Sequence, residues 1–174
     1  MMAVLLAGGK GTRLRPFTTT IPKPLLPLGD LPIVEIVLRQ LAIAGTKRVV
    51  VTLGHMAHLF AASIGNGSRF GLSIEYLTEE TPLGTAGSLR LVEDPDEHML
   101  VMNGDLLTTL NYLSLLQYHR SQGACATIAV HQRTVDIDYG VIETAPDGGL
   151  NRYVEKPQIP YLVSMGIYAV SRSA

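Results

Sequence analysis

Cysteine is all but missing from this 174-residue chain: Cys125 stands alone. An internal disulfide framework and a thiolate metal cage are therefore excluded, and a reducing compartment is expected. Within its apolar run Cys125 reads as a small core residue. Charge is scarce as well. Charged side chains make up 17% of the chain with a net charge of −1, against a usual share of about 25%. A basic nucleic-acid footprint is absent as a whole-chain property. No apolar run approaches the roughly 18 residues of a membrane span. The opening run, Met1 to Ala7, has no positive residues before it and is cut off at Gly8, unlike a secretory signal. The expectation is a soluble cytoplasmic protein with neither membrane nor nucleic acid as partner. Internal repeats, linkers and low-complexity stretches are also lacking. What the chain does have is apolar surface: hydrophobic residues make up 47%, which excludes disorder. Its length suits one domain, residues 1–174.

Charge and proline are unevenly placed. Residues 1 to 24 carry Lys10, Arg13, Arg15 and Lys23 and no acid, although the chain has only four lysines. Such local positive charge beside glycines suits an anionic small ligand, although a solvated surface run has the same composition. Five of the ten prolines (Pro16, Pro22, Pro24, Pro27 and Pro32) fall between residues 16 and 32. Each fixes its own φ and disfavours helix at the preceding residue, so a stiff, non-helical segment is expected there.

The continuously apolar residues 2 to 7 read as a buried strand. Pro32 suits a helix start, and Ile33, Val34, Val37, Leu38 and Leu41 recur at helical spacing. Glu35 and Arg39 make an i,i+4 pair, and Gly45 ends the helix. Further strands are expected at 48–53, 73–78, 99–102 and 125–131, with helices at 56–64, 85–93 and 112–121. After that the alternation stops, and 140–143, 151–154 and 162–170 read as strands without helices between them. Strand–helix alternation predicts an α/β fold: a Rossmann-like, mostly parallel (mixed) sheet covered on both faces, with a β-rich C-terminal part.

Five segments carry chemistry. Directly after the first strand comes Leu6-Ala7-Gly8-Gly9-Lys10-Gly11-Thr12-Arg13-Leu14. In open α/β sheets ligands bind beyond the carboxyl ends of the strands. Its glycines let backbone N–H groups approach an anion, and Arg13 adds a fork for phosphate oxygens. It is neither a Walker P-loop nor Gly-x-Gly-x-x-Gly, and a tight turn would look similar. Next, Lys23 is held between Pro22 and Pro24, which lowers the entropy lost when its ammonium meets a phosphate. Third, Glu79-Glu80-Thr81-Pro82-Leu83-Gly84-Thr85-Ala86-Gly87-Ser88 combines a turn into a helix with two acceptor-only carboxylates. Guanine offers two neighbouring donors that uracil and thymine lack, so a carboxylate facing the base favours guanine. Fourth, the strand Met99 to Met102 delivers Asp105 at its carboxyl end, a suitable place for a Mg²⁺ ligand, although such an Asp is also a common turn-former. Last, Tyr139-Gly140-Val141-Ile142 with Arg152-Tyr153-Val154-Glu155-Lys156-Pro157 could hold sugar hydroxyls and a sugar phosphate, or form an exposed ion pair. His55 and His58 lack a carboxylate neighbour in sequence and read as surface or packing histidines.

In this order, and over essentially the whole chain, the five segments resemble the sugar-phosphate nucleotidyltransferase family, which makes nucleoside-diphosphate sugars. The pattern Leu-Ala-Gly-Gly-x-Gly-Thr-Arg-Leu-x-Pro-x-Thr stands at 6 to 18 and Pro-Lys-Pro-Leu at 22 to 25. Leu83-Gly84-Thr85-Ala86-Gly87 is most similar to the mannose-1-phosphate guanylyltransferase branch. The resemblance implies transfer from a nucleoside triphosphate, GTP favoured, to a sugar 1-phosphate, with Mg²⁺ as cofactor; a homo-oligomer is left open. It implies that Leu6, Ala7, Gly8, Gly9, Gly11, Thr12 and Arg13 line the nucleotide. Lys23 would bind phosphates at the reacting centre, Gly84 and Gly87 would approach the base, Gly104 would sit near the ribose, and Asp105 would hold the metal. Gly140, Glu155 and Lys156 would hold the sugar phosphate. Where the family usually has asparagine at a sugar hydroxyl, this chain has the shorter Ser164. The family's second metal-binding aspartate lies in a segment beyond the last Gly-Ile-Tyr strand, so the chain resembles a member truncated at its carboxyl end or a natural short form. A transferase using UTP, dTTP or CTP, or a non-catalytic module that binds nucleotide sugars, are the alternatives.

Overall fold

A computed structural model of the chain describes residues 1–9, 11–54, 56–79 and 83–174. Lys10, His55, Glu80, Thr81 and Pro82, named above, lie outside the described residues. The chain forms two compact units: residues 1–128 with 166–174, and residues 129–165.

The first unit is built on a six-stranded sheet. Its elements follow in the order β1 (Met2–Leu6), β2 (Pro27–Leu28), β3 (Leu31–Pro32), α1 (Ile33–Ile43), β4 (Arg48–Leu53), α2 (Ala57–Ile64), β5 (Ser73–Thr78), α3 (Gly84–Gly87), β6 (His98–Asn103) and α4 (Tyr112–Gln122). Strands β7 (Ala126–Asp136) and β10 (Gln158–Ser171), of which residues 126–128 and 166–171 belong to this unit, complete the sheet, whose order is β5-β4-β1-β6-β10-β7. The pairs β5–β4, β4–β1 and β1–β6 are parallel. Strand β10 runs antiparallel to β6, with Ile167 opposite Met102. The sheet is thus mostly parallel and mixed, as the alternation predicts. Its central strands are buried on both faces, which is why they read as continuous apolar runs rather than alternating ones.

One face carries Met2, Val4, Val50, Met99 and Val101, covered by Val92 with Leu89 packed against them. The registers Leu6↔Thr52, Leu6↔Asn103 and Thr52↔Leu77 put one residue from each of four neighbouring strands in a single row at the carboxyl end. Register partners in a sheet point to the same side, so Leu77, Thr52, Leu6 and Asn103 share a face.

Three differences from the sequence reading have local causes. The helix expected at 85–93 is a single α turn, Gly84–Gly87, tightened into a 3-10 turn over Ser88–Leu91. Its glycines favour turns over extended helix. The segment 16–32 is non-helical in the α sense, as the prolines demand, but it is organised. Single 3-10 turns at Phe17–Thr19 and Lys23–Leu25 precede a β2–β3 ladder. Cys125 is exposed, not a core residue: it precedes β7 at the sheet edge, where few elements cover the strand.

In the second unit, β8 (Val141–Thr144) and β9 (Leu150–Val154) form an antiparallel hairpin that pairs Val141 with Val154. The backbone N–H of Ile137 donates to the Pro157 carbonyl at 3.1 Å. These are the strands without intervening helices that the sequence implies.

Candidate active site

The parallel strands end on one edge, and the segments that leave them enclose a cleft of about 410 Å³. The first wall is the glycine turn after β1. Ala7 stays in the sheet, its N–H donating to the Thr52 carbonyl at 2.9 Å. Gly8 then runs so close to the end of β4 that a Cβ on Gly54 would stand 3.0 Å from the Gly8 carbonyl oxygen. Gly11 adopts a φ of +58°, and a Cβ there would crowd the Thr18 methyl at 3.0 Å. A left-handed conformation and a close approach both favour glycine at that position. The buried Thr18 hydroxyl donates to the Gly11 carbonyl at 2.8 Å. The turn is therefore tied down by the proline-rich segment that follows it.

That segment also places Lys23. The Leu26 N–H donates to the Lys23 carbonyl at 3.1 Å, closing a turn around the buried Pro24. The Lys23 ammonium forms an ion pair with Asp105, which comes from the end of β6. Gly104, just before it, is buried and donates its N–H to the Leu6 carbonyl at 3.0 Å. The loops after β1 and β6 are thereby fastened together. Arg13 is exposed and lines the same cleft.

The far wall follows β5. The N–H of Glu79 donates to the Leu53 carbonyl at 2.8 Å, continuing the ladder. Its Oε1 accepts the buried Ser88 hydroxyl at 2.6 Å and its Oε2 accepts the Leu83 N–H at 3.1 Å. Both carboxylate oxygens thus hold the 83–88 turn to the end of β5. The sequence offers Glu79 or Glu80 as the carboxylate facing the base; the structure gives Glu79 this organising role.

The cleft brings together Leu6, Ala7, Gly8, Gly9, Gly11, Arg13, Lys23, Glu79, Gly84 and Asp105 of the expected nucleotide residues. Thr12, Gly87 and Gly104 are not on its surface; Gly104 supports it from below and Gly87 packs on Leu83 within the turn. Leu14, Pro24, Thr52, Ser88 and Asn103 also line it and were not foreseen. Ser88 and Asn103 sit one residue beyond or at the edge of segments already singled out. Thr52 gave no signal, because within a strand it reads as an ordinary β-branched residue.

The other expected group lies within the second unit. Gly140 is covered by the Tyr153 ring, which leaves no room there for a Cβ. The Tyr153 hydroxyl donates to Glu155 Oε2 at 2.5 Å. That bond to a carboxylate, and secondarily burial, push the phenol pKa up. Lys156 is exposed with a φ of +45°, and Ser164 is exposed. Gly140, Tyr153 and Glu155 are therefore one local constellation.

Among the described residues no group of three or more His, Cys, Asp or Glu side chains could hold a metal ion. Among the described residues Asp105 is the one carboxylate at the cationic end of the cleft. A single hard oxygen ligand fits Mg²⁺, which takes one or two carboxylates and completes its shell with phosphate oxygens and water. It does not fit an all-protein metal cage. No helix among the described residues is long and apolar enough to cross a membrane.

Comparison with known proteins agrees with this layout. The nucleotidyl transferase family profile matches residues 2–173. The chain is 37% identical over 175 residues to a mannose-1-phosphate guanylyltransferase of Mycobacterium tuberculosis, covering 98% of this chain and 49% of that protein. It is 36% identical over 183 residues to a UTP–glucose-1-phosphate uridylyltransferase of Synechocystis, covering 96% and 47% respectively. The crystal structure of HddC from Yersinia pseudotuberculosis complexed with GMP-PN superimposes with a TM-score of 0.72 at 25% identity. That match covers 99% of this chain and 77% of the other. The chain spans about half the length of the curated relatives it matches. A cleft at the carboxyl edge of a mixed α/β sheet, walled by the glycine turn and a lysine–aspartate pair, together with a family match over nearly every residue, makes this chain a member of the nucleotidyl transferase family.

Proposed function

We propose that the chain binds a nucleoside triphosphate in this cleft and carries out, as part or all of a nucleotidyl transferase domain, transfer of its nucleoside monophosphate to a sugar 1-phosphate. The observation that carries the reading is the convergence of the glycine turn, Arg13, Lys23 and Asp105 on one cleft. A sugar 1-phosphate oxygen attacks the α-phosphorus in line and pyrophosphate leaves. A phosphate monoester is already an anionic nucleophile, so no protein base and no covalent intermediate are required. The difficulty is bringing two anions together, which makes the task one of positioning and charge neutralisation. Backbone N–H groups of the glycine turn and the Arg13 fork hold phosphate oxygens. The Lys23 ammonium turns from Asp105 toward the charge developing at the α-phosphoryl group. Asp105 would hold a Mg²⁺ ion, which supplies charge neutralisation to the phosphates. Gly140, Glu155, Lys156 and Ser164 are assigned to the sugar phosphate.

GTP with mannose 1-phosphate is the favoured pair. The support is the 83–87 segment and the relatives named mannose-1-phosphate guanylyltransferase. Glu79 lines the cleft, and its carboxylate can accept more hydrogen bonds than the two from the turn, so it keeps acceptor capacity for a base. UTP is the second reading, favoured by the uridylyltransferase of almost equal identity. The test is pyrophosphate release with each nucleoside triphosphate against several sugar 1-phosphates, with thermal protection measured in parallel. GTP is expected to raise the melting temperature more than UTP or dTTP. Equal or greater protection by UTP overturns the guanine preference. Absence of protection by any triphosphate overturns the reading itself.

A further inference from the structure

We propose that Thr52 is a nucleobase-binding residue, its hydroxyl being the polar contact in the floor of the cleft beneath the base. The inference deepens the proposed function and rests on it. Thr52 is 1% exposed, and its Oγ1 has no hydrogen-bond partner among the described residues. A buried hydroxyl left unpaired costs free energy, and buried polar groups are overwhelmingly paired. An orphan hydroxyl lining a cleft is therefore available to a ligand group. Thr52 lines the cleft and shares a row and a face with Leu6 and Asn103, which line it too. Threonine in a strand populates more than one χ1 rotamer, and a χ1 turn exchanges Oγ1 with the methyl, so the hydroxyl can meet a ligand without backbone movement.

Its place across the sheet decides which part of the ligand it meets. The strand order sets Glu79 after β5, Thr52 at the end of β4, Gly8 after β1 and Asp105 after β6. The cationic, phosphate-binding end thus lies toward β1 and β6. Thr52 lies on the other side, next to the turn held by Glu79 and Ser88. A hydroxyl can both donate and accept, so it suits the mixed edge of a purine or pyrimidine. The second orphan, the Thr46 hydroxyl, provides a control. Thr46 lies in the turn before β4, where the next residue, Lys47, donates to the Met1 carbonyl at the opposite edge of the sheet. It is not among the residues that line the cleft.

Isothermal titration of the chain with GTP and, separately, with pyrophosphate tests the assignment. Thr52→Val keeps the shape and removes the hydroxyl. It is expected to weaken GTP about five- to tenfold, in the range of one neutral hydrogen bond, and to leave pyrophosphate affinity within about twofold. Its melting temperature without nucleotide is expected to stay the same or rise, because an unpaired buried hydroxyl has gone. Thr52→Ser should restore GTP affinity, and Thr46→Val should leave it unchanged. Undiminished GTP binding by Thr52→Val overturns the proposal while leaving the nucleotide reading standing. An equal loss for pyrophosphate overturns the assignment to the base. No binding of either ligand by the wild-type chain overturns both. Should Thr52→Val fail to fold, a structure of the wild-type chain with GTP decides: Thr52 Oγ1 farther than about 3.5 Å from every base atom overturns the proposal.

Discussion

Lys23 and Asp105 are each half-buried, with side-chain exposures of 38% and 23%. Neither is buried deeply enough for their ion pair to matter much to stability. Its value is positional: the pair sets a cation and a carboxylate at the end of the cleft where phosphates would react. The Pro22-Lys23-Pro24 backbone limits how far the lysine can wander, so little ordering entropy opposes its move to a phosphate. Lys23→Ala is expected to lower kcat roughly 10²- to 10³-fold, the usual scale for one preorganised charge, with KM for the triphosphate changed only modestly. Steady-state kinetics check the split. An equal loss in both parameters would make Lys23 a binding residue only.

At the scale of elements, the informative piece is the turn over residues 83–91. The sequence reads 85–93 as a helix, but the glycines at 84 and 87 and the tie from Glu79 give the segment one α turn and then a tighter one. Ser88→Ala removes the donor that engages Glu79 Oε1 and leaves that oxygen facing a buried methyl. A loss of about 1–3 kcal/mol of local stability is expected, read as faster hydrogen exchange of the amides at 83–91, together with weaker GTP binding. Unchanged exchange would show that the turn is held by its apolar residues, Leu89 among them. The case also shows what was legible in advance. The strand at 48–53 was readable because a parallel sheet imprints a continuous apolar run on its central strands, whereas the edge strand at 73–78 shows an apolar–polar alternation at Ser73-Ile74-Glu75-Tyr76 instead. The glycine turn, Lys23 and Asp105 were readable because each follows a strand or sits in a proline frame. The Glu79–Ser88 tie was not, since it depends on how the turn folds back on the residue that enters it, nor was the orphan hydroxyl of Thr52, which depends on strands distant in sequence lying side by side. The exposure of Cys125 was equally hidden, because an edge strand and a central strand can share a composition.

For the molecule as a whole, acid sensitivity should come from one buried histidine in the first unit. His119, on α4, has no exposed surface. Its Nδ1 is 2.9 Å from the Thr127 hydroxyl at the start of β7 and its Nε2 is 3.0 Å from the Ser171 hydroxyl at the end of β10. Ser171 donates to the Ala124 carbonyl at 3.1 Å and also lies 3.2 Å from His98 Nδ1. One imidazole therefore joins a helix to two strands and, through Ser171, to β6. Burial first, then the neighbouring His98 and Arg120, hold its pKa below the ordinary 6.5. The unfolded chain thus binds a proton more readily than the folded one, and stability must rise with pH across that interval. The contribution is complete above about 6.5 and is lost as pH falls toward the depressed folded-state value. Glu75, whose hydrogen bond from Arg48 holds it below its ordinary 4.5, loses its contribution only in more acidic solution, so the two windows separate. Urea unfolding at pH steps between 7.5 and 5 is expected to show declining stability in the wild-type chain. In His119→Gln the decline over the same steps should be shallower, whatever the variant's absolute stability. Parallel slopes in the two proteins would place the acid-labile proton site elsewhere.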